Sequence, residues 1–241
     1  MIDQILDLMS DDAFAAIEHL NKHANSLEVV EAYKGLVLKL YWDRKDLPGV
    51  ILAGLAGLQY ALSAARSLEA SEPELAVQLL GEAKGIAYNL ASFTWAGWNE
   101  PGIVVGPTDE LVGLEAAKLN LRLAIELSRG DLPLSRAHWV LGAQHLSAGQ
   151  KDKAKLSFDR AAQYAGEAKA NSEALLAVGY ALITSDIFEP ANEKATNEWI
   201  ELTEKLEAME NGPGLIKQLE TARTVIRQKW QRGSTIASSP A

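Results

Sequence analysis

From Ser10 to Arg232 the sequence is a succession of segments rich in Ala, Leu, Glu and Lys, with apolar residues at three- and four-residue spacing and short turns between them. No stretch alternates apolar and polar residues with β-branched enrichment, so no strand is predicted. The chain is therefore restricted to an all-α fold of about ten helices. Start signals support that reading. Ser10 is expected to cap a helix reaching about His23, and Ser26 the next, which continues until Pro48. Ser71 and Glu74 form a capping-box pattern ahead of "LAVQLLGEAKGIAYNLASF". Thr108, with Asp109 and Glu110, opens a helix ended by "RGD", and Asp131 is positioned to cap one that starts near Pro133 and stops at Gly149. Four more helical segments follow, near residues 151–168, 172–187, 193–210 and 215–232. Turns this short make sequential helices antiparallel neighbours.

Some of these pairs repeat. In "AHWVLGAQHLSAGQKDKAKLSFDRAAQYA", Leu141 and Gly142 are followed by His145, and then by Ala154, Phe158 and Ala161. This spacing resembles the tetratricopeptide repeat (TPR), in which Leu-Gly and an aromatic residue on the first helix precede small, aromatic and small positions on the second. Two departures stand beside the match: His145 occupies the usual tyrosine position, and Trp139 lies one place later than the family's tryptophan. Looser copies begin at Gly57 and Tyr60, continued by Ala76, Leu80 and Ala83, and at Val178 and Gly179 with Leu182. The resemblance implies a TPR-like α-solenoid of antiparallel helix pairs forming one domain over residues 1–232, with its best-matched repeat at 135–166. Residues 233–241 are expected to be a disordered tail.

The resemblance also implies a concave groove made by the first helix of each pair, with Arg136, Trp139, Ala143 and Leu146 facing it. In TPR domains that hold the C-terminal carboxylate of chaperones, Lys, Asn and Arg fill such positions. Here the lining is mostly apolar, which favours an apolar or amphipathic segment of a protein or peptide partner. One irregular connection, residues 97–107, interrupts the helices. The stretch "FTWAGWNEPGIVVGPTDEL" crowds Trp95 and Trp98 among Gly and Pro residues that a regular helix does not accommodate. Two readings of Trp95 and Trp98 are open: a plug at the junction of two helical blocks, or a wall of the groove acting with Trp139.

Signals for chemistry are weak. There is no cysteine, which removes disulfides, thiolate metal sites and cysteine nucleophiles. No phosphate-binding loop and no GxSxG elbow occur, and "GLAG" and "GIVVG" are too short to cradle phosphate. His19 and His23 share a helix face, but the Glu that follows the first His in metalloproteases is absent; His138 and His145 also share a face, and His145 already has a packing role in the repeat. Glu198, Glu201, Glu204, Glu207 and Glu210 wind around a helix as a solvated face. Neither catalytic residues, metal nor cofactor are assigned.

A net charge of −9 disfavours general nucleic-acid binding. The uncharged segment 47–65 approaches the length of a membrane span, but its Ala and Gly content suits a closely packed core helix instead, so no membrane partner is expected. The acidic N-terminal sequence lacks a secretory pattern, and a cytoplasmic location is expected. The acidic block 189–210 and the basic block 212–232 are expected to face one another as a hairpin. The apolar "MIDQILDLM" is the candidate for a homo-oligomeric contact. The functional expectation is a protein- or peptide-binding scaffold or adaptor without enzymatic activity. The alternative is an enzyme or small-ligand sensor whose pocket lies under the Trp95–Pro107 loop.

Overall fold

The structure, a computed structural model, describes residues 2–189 and 193–237. Among these residues all regular structure is helical, which establishes the all-α class. The elements are α1 (Ile2–Asp11), α2 (Ala13–Asn21), α3 (Ser26–Trp42), α4 (Leu47–Leu68), α5 (Pro73–Phe93), a 3₁₀ turn (Ala96–Trp98), α6 (Pro107–Glu126), α7 (Asp131–Ser147), α8 (Lys151–Glu167), α9 (Asn171–Phe188), α10 (Glu193–Glu207) and α11 (Gly212–Ala237). α11 thus continues five residues past Arg232, and residues 238–241 of the expected tail lie outside the described residues.

Several helix starts differ from expectation by one or two residues, each for a local reason. Asp12, not Ser10, accepts hydrogen bonds from the backbone N–H groups of Phe14 and Ala15, both at 3.0 Å. Ser10 instead donates to Leu6 O within α1, so the segment breaks into two helices. Asn25 caps α3 through Leu27 and Glu28, pre-empting Ser26. At α6 the Asp109 carboxylate accepts from Gly106 N–H at 2.8 Å, half of a capping box whose other half a glycine has no side chain to supply.

Backbone contacts cluster in two compact units. The first comprises Met1–Thr94 and Gly102–Arg129; the second comprises Trp95–Pro101 and Gly130–Ala241. In the first unit α4 is the central element and packs on α3 and α5. Its small residues allow close approach: a Cβ at Gly57 would fall 2.7 Å from Tyr33 Cβ and 3.2 Å from Ile86 Cδ1. One turn earlier, a Cβ at Gly54 would sit 3.2 Å from Leu90. Tyr33, Ile86 and Leu90 are fully buried, and α4 spends its apolar character on this packing. It is also the one helix among the described residues long and apolar enough to cross a membrane. Tyr33 keeps its hydroxyl satisfied by donating to Asn21 Oδ1 at 2.7 Å, while burial pushes its pKa up to about 12.

In the second unit the best-matched repeat is an antiparallel pair. Gly149, with φ of 71°, ends α7, and Gln150 N–H bonds back to His145 O at 2.9 Å before α8 begins. A Cβ at Gly142 would lie 2.8 Å from the Phe158 ring, and Ala154, Phe158 and Ala161 are fully buried. The same device recurs at α9, where a Cβ at Gly179 would fall 2.6 Å from Leu219 and 3.1 Å from Leu202. α11 closes this side with Leu219, Ala222 and Ile226 buried. Of its basic residues, Arg223 faces α10 over the Trp199 ring, 5.1 Å from the ring centroid. Arg223 and Arg227 both bind Asp186 on α9, the first at 2.7 Å, because α11 lays its apolar face on that helix.

Candidate functional site

The second unit is organised by aromatic rings. Trp95 makes near-perpendicular contacts with Trp98, Trp139 and Tyr180 at centroid distances of 5.1, 5.7 and 5.6 Å. Trp139 in turn touches Trp98 and Tyr180, each at 5.5 Å, and Tyr180 stacks on Phe158 at 5.3 Å. The cluster therefore joins the 3₁₀ turn to α7, α8 and α9. Sequence explains the turn's shape: Gly97 folds directly over the Trp95 ring where a Cβ would collide, and Asn99, at φ 50°, reverses the chain. Trp95 is 1% exposed. Trp98 is half-buried and forms the outer edge of the cluster.

Two ring nitrogens in this core, Trp95 Nε1 and Trp139 Nε1, are buried with no hydrogen-bond acceptor. An indole N–H can only donate, so the perpendicular ring faces are the weak acceptors left to it. Such faces replace only part of a lost hydrogen bond.

The six residues expected to line a groove separate into two groups. Ala143 and Leu146 are fully buried, Trp139 is 8% exposed, and Trp95 is enclosed as described. Their burial corrects the expected groove, and its physical reason is that α7 has no open face: eleven of its seventeen residues are buried, including an unbroken run from Gly142 to Ser147. Arg136 and Trp98 do reach the surface. Arg136 is held by Glu173 of α9 through two hydrogen bonds of 2.6 and 3.0 Å. The Trp95 ring fills a core within the second unit.

His138 and His145 are both buried on α7. His138 stacks on Tyr164 at 5.6 Å, and burial, aided by the charge of Arg160, pushes its pKa down to about 4. A neutral imidazole held against a phenol ring is a packing element. His23 lies on the surface 3.7 Å from Glu28, and among the described residues no three His, Asp or Glu side chains converge as metal ligands would. The apolar N-terminal segment turns Ile5 and Leu6 inward, leaving Leu8 37% exposed.

A groove that the sequence reading did not assign runs along α9. Its volume is about 570 Å³, and Leu175, Val178, Leu182 and Ser185 form its floor. α8 supplies one wall through Lys155 and Asp159; α10 supplies the other through Glu198, Glu201 and Lys205. The floor residues recur at intervals of three and four, so the signal was present in the sequence as a second apolar stripe on α9. The third repeat copy, which begins at Val178 and Gly179 with Leu182, takes in two of these floor residues.

Compared with known proteins, the chain matches no family model, no curated sequence and no solved structure.

Proposed function

We propose that the chain is a helical-repeat scaffold of TPR-like construction that binds a protein or peptide partner and performs no catalysis. The observation that carries this reading is a packing device used three times. A glycine on the leading helix of each copy lies in close contact with large side chains of neighbouring helices, among them one from the helix that follows: Gly57 with Tyr33 and Ile86, Gly142 with Phe158, and Gly179 with Leu219 and Leu202. Helix pairs interlocked in this way are the unit of solenoid proteins, whose extended surfaces serve binding. The competing reading is an enzyme or small-ligand sensor with a pocket under the Trp95–Pro107 loop; the enclosure of Trp95 within the second unit supports the scaffold reading over it.

Affinity capture from the native extract, with the purified chain as bait, tests the proposal. A partner that binds reproducibly and is then confirmed with both purified proteins is the expected result. If the chain retains no protein above a scrambled-surface control, but turns over or binds small metabolites, the scaffold reading fails. Light scattering on the same preparation separates partner binding from self-association.

A further inference from the structure

α11 is seated on the second unit in the way a bound helix is seated in a groove. Leu219, Ala222, Ile226 and Trp230 recur at intervals of three and four along one side of it. The first three are buried, Leu219 against Gly179 of α9. The Trp230 ring lies over Gly149 at the end of α7 and beside Phe188, with 5.8 Å between the ring centroids. Polar contacts flank that stripe. Gln218 Nε2 donates to the Tyr180 hydroxyl at 2.9 Å, Arg223 and Arg227 share the Asp186 carboxylate, and Lys229 Nζ donates to Ser147 O at 2.6 Å. Apolar anchors at i, i+3 and i+7 with charges beside them are the pattern of amphipathic helices held in grooves.

For its length α11 is lightly held. Among its described residues Leu219, Ala222 and Ile226 are the buried apolar side chains of a 26-residue helix, whereas α7 buries eleven of its seventeen residues. The side chains of Asp186, Arg223 and Arg227 are 25%, 33% and 40% exposed, so their ion pairs contribute little. The ring contacts that tie Trp95, Trp98, Trp139, Phe158 and Tyr180 together are made among the 3₁₀ turn, α7, α8 and α9. Few buried anchors and solvent-exposed ion pairs mark the elements of a structure that open first.

We propose that α11 is a resident ligand, and that the surface it covers on α9, the end of α7 and the 3₁₀ turn binds, in exchange for it, a partner helix of α11's own chemistry. That helix carries apolar anchors at i, i+3, i+7 and i+11, and Arg or Lys at i+4 and i+8 to meet Asp186, as Leu219, Ala222, Ile226, Trp230, Arg223 and Arg227 do within the chain. The inference rests on the partner-binding reading above and gives it a place, a ligand class and an off state. While α11 is docked, a partner binds only the undocked fraction of molecules, and its apparent affinity falls in proportion.

The test adds to the full chain a labelled synthetic peptide with the sequence of residues 215–231 and follows its fluorescence anisotropy. Ile226→Asp removes one anchor from the resident helix. This variant is expected to keep the near-ultraviolet circular dichroism of the aromatic cluster largely intact while hydrogen exchange of the α11 amides speeds up at least tenfold. It should also bind the peptide at least tenfold more tightly than the wild type does. A peptide with Glu at the positions of Arg223 and Arg227 should bind this variant at least tenfold more weakly, about 1.4 kcal/mol. Asp186→Lys, added to Ile226→Asp, should invert that preference. The inference is overturned if Ile226→Asp erases the aromatic signal, if it binds the peptide no better than the wild type, or if Asp186→Lys changes nothing. It is also overturned if the α11 amides of the wild type exchange as slowly as those of α7 and α8, a measurement that needs no variant to fold. A partner captured from extract that binds wild type and Ile226→Asp equally well overturns the exchange with α11 and leaves the scaffold reading standing. Capture of no partner by either chain overturns both.

Discussion

The two units solve the same packing problem with different materials. In the first, long helices of 17–22 residues approach through Gly and Ala, and few buried polar atoms lack partners: Tyr33 finds Asn21, and the Asn120 side-chain amide donates to Lys84 O at 2.8 Å while its Oδ1 is buried without a partner. In the second, the core is built from Trp95, Trp98, Trp139, Phe158 and Tyr180, and the unit buries ring nitrogens of Trp95, Trp139 and His138 without hydrogen-bond partners. Aromatic rings bury much area and fix orientation, but they bring polar atoms inside with them. The second unit is accordingly more sensitive to single substitutions and to pH.

The largest expected effect comes from Trp95→Ala, which empties the centre of the aromatic cluster. A loss of about 3–5 kcal/mol is expected in the unfolding of the second unit, followed by near-ultraviolet circular dichroism, where the clustered tryptophans report. An unchanged aromatic signal would show that the rings do not depend on one another.

Acidity should discriminate next. The His138 pKa is depressed from its ordinary 6.5 to about 4, so the unfolded chain binds the proton more readily than the folded one. The stability this neutral histidine contributes is fully present above pH 6.5, declines as pH falls toward 4 and levels off below. The full span corresponds to at most about 3 kcal/mol. Denaturant titrations across that window should show the slope in wild type, and His138→Phe should flatten it. If the slope survives in the variant, another group is responsible.

A smaller contrast lies within one helix pair. Gly142→Ala gains helix propensity yet drives a methyl toward Phe158, and a net loss of about 1–2 kcal/mol is expected. Gly166→Ala, on the helix paired with it, meets no atom within 4 Å and should gain about 0.5–1 kcal/mol. Thermal melts of the two variants should therefore move in opposite directions. The smallest effect belongs to Arg136→Ala. Its ion pair with Glu173 is bidentate but exposed, and a change of about 0.2–1 kcal/mol that shrinks with added salt is expected.

What could be read from the sequence follows the same division. The helices were legible because caps, turns and spacing act over a few residues. The pair at 135–166 was legible because its helices are both 17 residues long and Gly142, Ala154, Phe158 and Ala161 sit at the spacing of its close contact. The earlier copy was legible only in its first half. Gly57 packs as anticipated, but α4 and α5 run to 22 and 21 residues, which shifts the contact from Leu80 to Ile86 and leaves Leu80 half-buried. The groove residues were less legible for a different reason. The resemblance gives α7 one open side, whereas Trp139 is covered by Trp95 and by Trp98 of the 3₁₀ turn, and no local pattern announces so distant a contact.

That distance bears on how the protein is made. Trp95 leaves the ribosome long before the ring it packs against: Tyr180 follows it by 85 residues. The second unit cannot finish its core while α7 and α8 emerge, and the Trp-Gly-Trp turn must wait, with apolar surface in water, until α9 has been synthesised. A fragment starting at Gly130 would lack the seven residues Trp95–Pro101 altogether and would present Trp139 and Tyr180 to solvent. The unit is continuous in space and interrupted in the chain, so translation order, and not only the final contacts, decides when it becomes a folded body.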